Sequence, residues 1–253
     1  MYFDTHAHYD DDRFAEDREA LLEALPSRGV GLILNPGVTV SSSRAALALA
    51  ERFPHVWAAA GIHPEDCAGA GEADWDALRD LCRREKVAAI GEIGLDYHWE
   101  DNPSREEQQA VFRRQLALAL AMDKPVIIHD RDAHADCLSI VSEFPGLRGV
   151  FHCFSGSAEM AEQLLRRGWY LGFDGPVTYK NAKKALAVLA VTPPERILLE
   201  TDAPYLPPVP HRGERNDSRF LPEIARAVAA AKGMTVAEME ALTWENGRKL
   251  FGI

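Results

Sequence analysis

Long apolar runs are missing from this chain. No stretch of roughly 18 or more such residues appears, which argues against a membrane-spanning helix. No basic segment leading into an apolar one opens the sequence either; Met1 runs directly into Tyr2-Phe3-Asp4, so no secretory signal is expected. Cysteine is sparse. Cys67, Cys82, Cys137 and Cys153 are scattered without a CxxC pair, which excludes a small disulfide-stapled scaffold and fits reduced thiols in a cytoplasmic protein. Basic charge is also short: 28 Lys and Arg stand against 39 Asp and Glu, a formal net charge of -11, with no basic run. A surface gripping duplex phosphates over a long stretch is therefore not expected. Bound divalent cations would nevertheless supply local positive charge that this count omits. No GxGxxG follows the first strand-like segment, so a nicotinamide-dependent hydride-transfer enzyme is disfavoured. Linkers, repeats and low-complexity tracts are absent, and the 253 residues read as a single domain, 1–253.

What is present is a regular alternation. Short β-branched or apolar runs fall at 2–5, 31–35, 56–60, 87–90, 126–128, 149–151, 170–173 and 197–200. Helical periodicity marks 13–25, 43–52, 75–85, 106–122, 158–167, 183–189, 221–232 and 236–251. Strands followed by helical sequence, eight times over, are the pattern of an α/β fold of the single (β/α)8 TIM-barrel type. A doubly wound open sheet is the alternative that strand counting leaves open. One irregular stretch, 203–218, holds four prolines and follows the eighth strand, where a barrel enzyme places an active-site loop.

Histidines and acids gather at the C-terminal ends of these segments. His6 and His8 close the first as Asp4-Thr5-His6-Ala7-His8, and residues two apart on a strand face the same side. His63 follows the third, Glu92 ends the fourth, His129 the fifth, His152 the sixth and Asp202 the eighth. A barrel brings such positions to one mouth, however far apart they lie in sequence. Four histidines (His6, His8, His129, His152) with Glu92 and Asp202 suffice for two divalent ions, and one carboxylate can bridge them. Imidazole-rich shells suit Zn, Mn, Fe or Ni better than Mg or Ca. A divalent cation lowers the pKa of bound water to about 7 and polarises a phosphoryl or carbonyl oxygen. A nearby carboxylate then takes the proton, and Asp202 is the candidate base. Each histidine alone reads equally as a hydrogen-bonded strand-end residue, and Asp202 alone as a helix cap; the constellation carries the inference.

These motifs resemble the TatD family of metal-dependent deoxyribonucleases among the amidohydrolase-like barrels. The matching stretches are Asp4-Thr5-His6-Ala7-His8, Gly61-Ile62-His63-Pro64, Gly91-Glu92-Ile93-Gly94-Leu95-Asp96, Ile128-His129-Asp130-Arg131, His152-Cys153-Phe154-Ser155-Gly156 and Glu200-Thr201-Asp202-Ala203-Pro204-Tyr205-Leu206. Arg212-Gly213-Glu214-Arg215-Asn216 and Asn246-Gly247-Arg248-Lys249-Leu250-Phe251 match as well, so the likeness spans the chain in family order. The resemblance implies that His6, His8 and Asp202 bind a first metal, that Glu92 bridges, and that His129 and His152 bind a second. The ions would be Mg, Mn or Zn. His63 would contact substrate, and Asp202 would help activate water. The implied reaction is phosphodiester hydrolysis, trimming single-stranded DNA from the 3′ end. The chain departs from the family's Arg-Asn-Glu-Pro loop: Asn216 is followed by Asp217 and Ser218, and loss of the proline is expected to loosen the loop.

Arg212 and Arg215 in that loop suit phosphate, or equally a surface held by salt bridges. Lys180 reads better as a solvated lysine than as a phosphate contact. Asp96 and Arg131 either orient metal ligands or pair with neighbours. A metal-dependent esterase or deacylase acting on aminoacyl-tRNA, and a non-catalytic quality-control protein, are the competing functions. Nucleic acid is the expected partner; no membrane association and no stable protein partner follow from the sequence.

Overall fold

The computed structural model describes residues 1–253. Eight parallel strands pair in chain order: β1 (Tyr2–Asp4), β2 (Val30–Pro36), β3 (Val56–Ala60), β4 (Val87–Asp96), β5 (Val126–Arg131), β6 (Gly149–Phe151), β7 (Tyr170–Phe173) and β8 (Ile197–Leu199). The gap between β8 and β1 is bridged beyond the strand ends. Thr5 N donates to Leu199 O at 3.2 Å, Asp202 N to His6 O at 2.9 Å and His8 N to Ala203 O at 2.7 Å, and Ala7 and Ala203 form a parallel bridge. The sheet is thus a barrel, and the open-sheet alternative falls.

The helices are α1 (Arg18–Ala24), α2 (Val40–Arg52), α3 (Glu72–Cys82), α4 (Arg105–Met122), α5 (His134–Ser142), α6 (Ala158–Arg166), α7 (Lys183–Val191), α8 (Leu221–Lys232) and α9 (Val236–Phe251). The starts of α2, α4 and α9 carry capping boxes at Thr39, Ser104 and Thr235, whose hydroxyls accept the first-turn amide that the helix leaves unpaired. Three expectations need correction. The helix expected at 13–25 breaks into a 3-10 turn, Asp12–Phe14, and the shorter α1. The Arg18 guanidinium donates to the Asp10 and Asp11 carbonyls at 3.0 Å and holds the turn. The helix α5 has no counterpart among the expected segments; its buried face is only Cys137, Ile140 and Val141, too short a stripe to stand out. The fourth strand does not end at Glu92 but continues to Asp96, through a register shift between Ile90 and Ile93.

Two packed layers follow from strand alternation. One apolar cluster takes Phe3, Leu34, Ala59, Ala89, Ile127, Val150, Tyr170 and Leu198, one residue from each strand. Only the inside of a barrel lets all eight strands meet, so this cluster is the barrel interior. Leu250 and Phe251 of α9 join it, and Phe3 packs edge-on against Trp244 and Phe251. The larger cluster, 55 buried residues, lies between strands and helices. Two residues onward from the interior layer, Ile127 leads to His129, Val150 to His152 and Leu198 to Glu200 and then Asp202. The inward face that is apolar at depth turns to histidine and carboxylate at the mouth.

Candidate metal centre

Six side chains proposed from the sequence converge around Glu92, which is 3% exposed. Its Oε2 lies 3.2 Å from His6 Nε2 and 3.5 Å from His8 Nε2. Its Oε1 lies 2.8 Å from His129 Nδ1, 2.8 Å from His152 Nε2 and 3.7 Å from His63 Nε2. Each carboxylate oxygen thus faces a different set of imidazoles. Asp202 Oδ1 completes the first set, 3.7 Å from His6 Nε2 and 3.6 Å from His8 Nε2.

The spacing fits a cation. His6 Nε2 and His8 Nε2 are 3.1 Å apart, so two ring nitrogens with carboxylate oxygens beside them need a proton or a metal between them. Ligands placed tetrahedrally about 2.1 Å from an ion stand roughly 3.4 Å from one another, and the separations above bracket that value. On the second set, His129 Nδ1 and His152 Nε2 are 3.4 Å apart.

Deeper residues hold these donors in place, as outer carboxylates commonly do for ligating histidines. Asp96, fully buried, sits with its Oδ2 3.0 Å from His129 Nε2 and so orients the His129 ring rather than pairing at the surface. Glu200 accepts the Cys153 amide and lies 3.7 Å from His152 Nδ1. Gly172 faces this carboxylate, and any side chain there would overlap it. Asp4, fully buried, accepts from Thr201 N at 3.0 Å, Thr201 Oγ1 at 2.6 Å and Ser218 Oγ at 2.6 Å, tying β1 to the segment carrying Asp202. Glu200 and Asp4 lie inside the matching stretches, but nothing in the sequence marks a buried acid two residues before a candidate donor as its support.

Electrostatics separate the groups sharply. Burial alone would raise Glu92, but His152, His6 and the His129 hydrogen bond outweigh it and hold the carboxyl well below its usual range. Burial and the nearby His152 lower His6 to about 4. Burial also works against charge on His8, His129 and His152, yet the adjacent carboxylates win and hold them up at about 9, about 9 and about 10. Burial raises Asp4 to about 6 and Glu200 to about 8. Asp202 is held below its usual value, burial being overcome by His8 and its neighbours.

His63 opens a 3-10 turn, Pro64–Asp66, and its Nδ1 accepts the Glu65 amide at 3.3 Å. Burial and His129 lower it to about 3. It is therefore a neutral imidazole whose proton must sit on Nε2, the atom facing Glu92. That tautomer makes it a donor toward the mouth rather than a lone-pair ligand.

These groups open into a cleft of about 550 Å³. The structure does not bring Arg212 and Arg215 to it. Arg215 donates to both oxygens of Asp17 at 2.8 and 2.6 Å and lies over the Phe14 ring, which commits its planar fork to holding the loop. Arg212 is exposed, with its guanidinium over Tyr179 at 4.1 Å. Lys180 is exposed and does not line the cleft. Arg131 does line it. The loop after β8 is not loosened. Asn216 Nδ2 donates to Thr201 O at 2.7 Å and Tyr205 O at 2.6 Å. Ser218, fully buried, lies 2.7 Å from the Tyr9 hydroxyl, and its amide donates to that hydroxyl at 3.0 Å. Its Oγ meets Asp4, a bond a proline could not make.

Comparison with known proteins bears on this geometry. The sequence profile of the family described as TatD related DNase matches residues 3–252. A Bacillus subtilis protein named uncharacterized metal-dependent hydrolase YabD is 41% identical over 255 residues, covering 100% of both chains. The 3′-5′ ssDNA/RNA exonuclease TatD of Cronobacter sakazakii is 36% identical, over 98% of this chain and 97% of its own. The crystal structure of YJJV, a TatD homolog from Escherichia coli K12, superposes with a TM-score of 0.93 at 33% identity, over 100% of this chain and 98% of that one.

Proposed function

Since the chain belongs to the TatD family and is a metal-dependent hydrolase acting on ester bonds, we propose that its substrate is single-stranded DNA, trimmed from the 3′ end by phosphodiester hydrolysis. The observation that carries this is Glu92, whose two oxygens face two separate imidazole sets. Two divalent cations, Mg, Mn or Zn, would be held there: one by His6, His8, Glu92 and Asp202, the other by Glu92, His129 and His152. Bound in that way they supply a water of lowered pKa and positive charge for the phosphoryl oxygens. The name of the Cronobacter relative, a 3′-5′ ssDNA/RNA exonuclease, supports the substrate and direction.

The protein's own groups divide the remaining work. Asp202, ionised at neutral pH because its carboxyl is held low, accepts the proton of the attacking water. His63 Nε2–H, fixed in its tautomer by the Glu65 amide, donates to a non-bridging phosphate oxygen without adding charge. Asp96 keeps the His129 ring oriented. Cytoplasmic residence is part of the same reading. Cys67, Cys82 and Cys137 are buried and unpaired, as thiols in a reducing compartment are, and no helix is long and apolar enough to cross a membrane.

The test is to strip the protein with a chelator and restore Mg, Mn or Zn singly. A 3′-labelled and a 5′-labelled single-stranded oligonucleotide are then followed, with Glu92→Ala as control. Stepwise shortening from the 3′ end, dependent on metal and absent in the variant, is expected. Oligonucleotides left intact by a metal-loaded protein would refute the substrate and turn the search to carboxylic esters such as aminoacyl-tRNA.

A further inference from the structure

Six large hydrophobic side chains are strongly exposed, and only two of them are aromatic: Trp99 at 53% and Tyr205 at 45%. Both line the cleft that holds the metal-binding groups. A lone exposed hydrophobic side chain is ordinary, but the gathering of both exposed aromatic rings in the one cleft that holds the metal-binding groups points to a ligand.

The two rings are placed symmetrically about the centre. Trp99 follows β4, and Tyr205 follows β8. With the strands in the order β1 to β8 and the seam closing β8 onto β1, β4 and β8 stand on opposite sides of the mouth. The donors of the candidate metal centre lie between them. Each ring is also backed by an arginine from a neighbouring strand end. Arg131, at the end of β5, lies 5.1 Å from the Trp99 centroid, and Arg13, in the loop after β1, lies 3.9 Å from the Tyr205 centroid. His98 packs edge-on to Trp99 at 4.6 Å, and the Tyr205 hydroxyl donates to Asp11 at 3.0 Å. The rings are held, yet half of each remains open.

The rest of the cleft cannot grip a nucleic-acid backbone. Among its lining residues, Asp10, Asp11, Glu65, Asp66, Glu92 and Asp202 are carboxylates, and Arg131 is the one guanidinium. Phosphates away from the metal ions meet like charge there. Bases do not, because every base has an uncharged face that stacks on an aromatic ring without regard to sequence.

We propose that Trp99 and Tyr205 are stacking platforms for two unpaired bases of a single strand lying across the barrel mouth, one on either side of the scissile phosphate. The proposal rests on the nuclease reading above and sharpens it. The substrate is a polynucleotide with splayed bases, held by stacking more than by charge, and a paired duplex cannot present its base faces this way. Affinity should accordingly fall only weakly with salt, since few backbone phosphates are neutralised by side chains.

The test is a double-mutant cycle on the metal-loaded protein. Wild type, Trp99→Ala and Trp99→Phe are compared on a single-stranded oligonucleotide and on the same oligonucleotide with abasic residues flanking the cleaved bond. KM and kcat are measured separately, and metal content and melting temperature are checked for each variant. Trp99→Ala should raise KM on the normal strand by about 5- to 150-fold, the worth of one base stack. Trp99→Phe should recover most of this, and neither variant should worsen KM on the abasic strand. Tyr205→Ala should raise KM as Trp99→Ala does, and Tyr205→Phe, which keeps the ring, should recover most of the loss. An equal rise on both strands, or no rise on either, overturns the stacking assignment while the nuclease reading stands. If wild type cleaves neither strand yet shows metal-dependent hydrolysis of bis(p-nitrophenyl) phosphate, the polynucleotide reading has failed and the platforms fall with it.

Discussion

Loading this site with metal should expel protons, and the number can be read from the geometry. In the metal-free protein His8, His129 and His152 sit at about 9, about 9 and about 10, raised against the effect of burial by Asp202, Asp96, Glu92 and Glu200. All three are imidazolium at pH 7. His6, lowered to about 4, is already neutral. Metals take only neutral imidazole. Filling both sets at pH 7 should therefore release about three protons, and the logarithm of the overall apparent affinity should rise by about three per pH unit. Between pH 6 and pH 7 that is roughly a thousandfold, or ~4 kcal/mol. The slope should flatten as pH passes the 9 to 10 range of these groups. Stability of the metal-free protein moves the other way. A folded pKa raised above the unfolded value of about 6.5 stabilises fully below that value, and the gain is lost as pH climbs through the folded pKa. The melting temperature without metal should thus fall across the alkaline range, while that of the loaded protein stays higher. Calorimetric titration with Mn or Zn in two buffers of different ionisation enthalpy counts the protons directly. Release of fewer than one proton at pH 7, or an affinity flat from pH 6 to 8, would show that the imidazoles are not held charged by the carboxylates.

Other outcomes follow from single contacts. Asp202→Asn should lower kcat by about 10²- to 10⁴-fold with the fold intact by circular dichroism; single-turnover cleavage reads it, and an unchanged rate would remove Asp202 as the base. Ser218→Ala strips Asp4 of one of its hydrogen bonds and removes the side-chain partner of the Tyr9 hydroxyl, which keeps only the residue 218 amide. It should cost about 1–3 kcal/mol, a drop of about 2–12 °C in melting temperature; an unaltered melting curve would mean the network does not secure the loop. Arg215→Ala removes a half-exposed ion pair and should cost under about 1 kcal/mol, with kcat/KM on an oligonucleotide within about twofold of wild type. A tenfold loss of kcat/KM would restore Arg215 as a phosphate contact.

The barrel was legible because its strands are short apolar runs that turn to histidine or acid at one end. The convergence of the candidate metal ligands was legible for the same reason: strand alternation places Ile127 and His129, or Val150 and His152, on one face. What stayed hidden lies where local pattern and tertiary need disagree. The second half of β4 is broken by Gly91 and Gly94, which read as the end of a strand. In the structure a Cβ at Gly94 would overlap the His129 carbonyl, and its φ of 148° suits glycine alone. The helix α5 buries too few residues to show a period. Arg215 carries the right chemistry for phosphate, but its partner Asp17 sits in a loop whose position no spacing reveals. Tyr205 falls inside a matching stretch and Trp99 in none, and only the order of strands around the mouth sets the two on opposite sides of the centre.

The seam between β8 and β1 also governs when the site comes into being. His6 and His8 are synthesised well before Asp202 and before the Leu199 carbonyl that accepts from Thr5 across 194 positions. Trp244 and Phe251, against which Phe3 packs, come later still. During translation the opening histidines have no fixed partners, and a cation meeting them finds a loose, two-toothed chelate. The full donor set comes together only once the segment after β8 is made and its seam with β1 closes. Any metal held by this set would therefore be taken up after β8 is made, and a protease nick within α9, by loosening Phe3 from Trp244 and Phe251, should weaken metal retention.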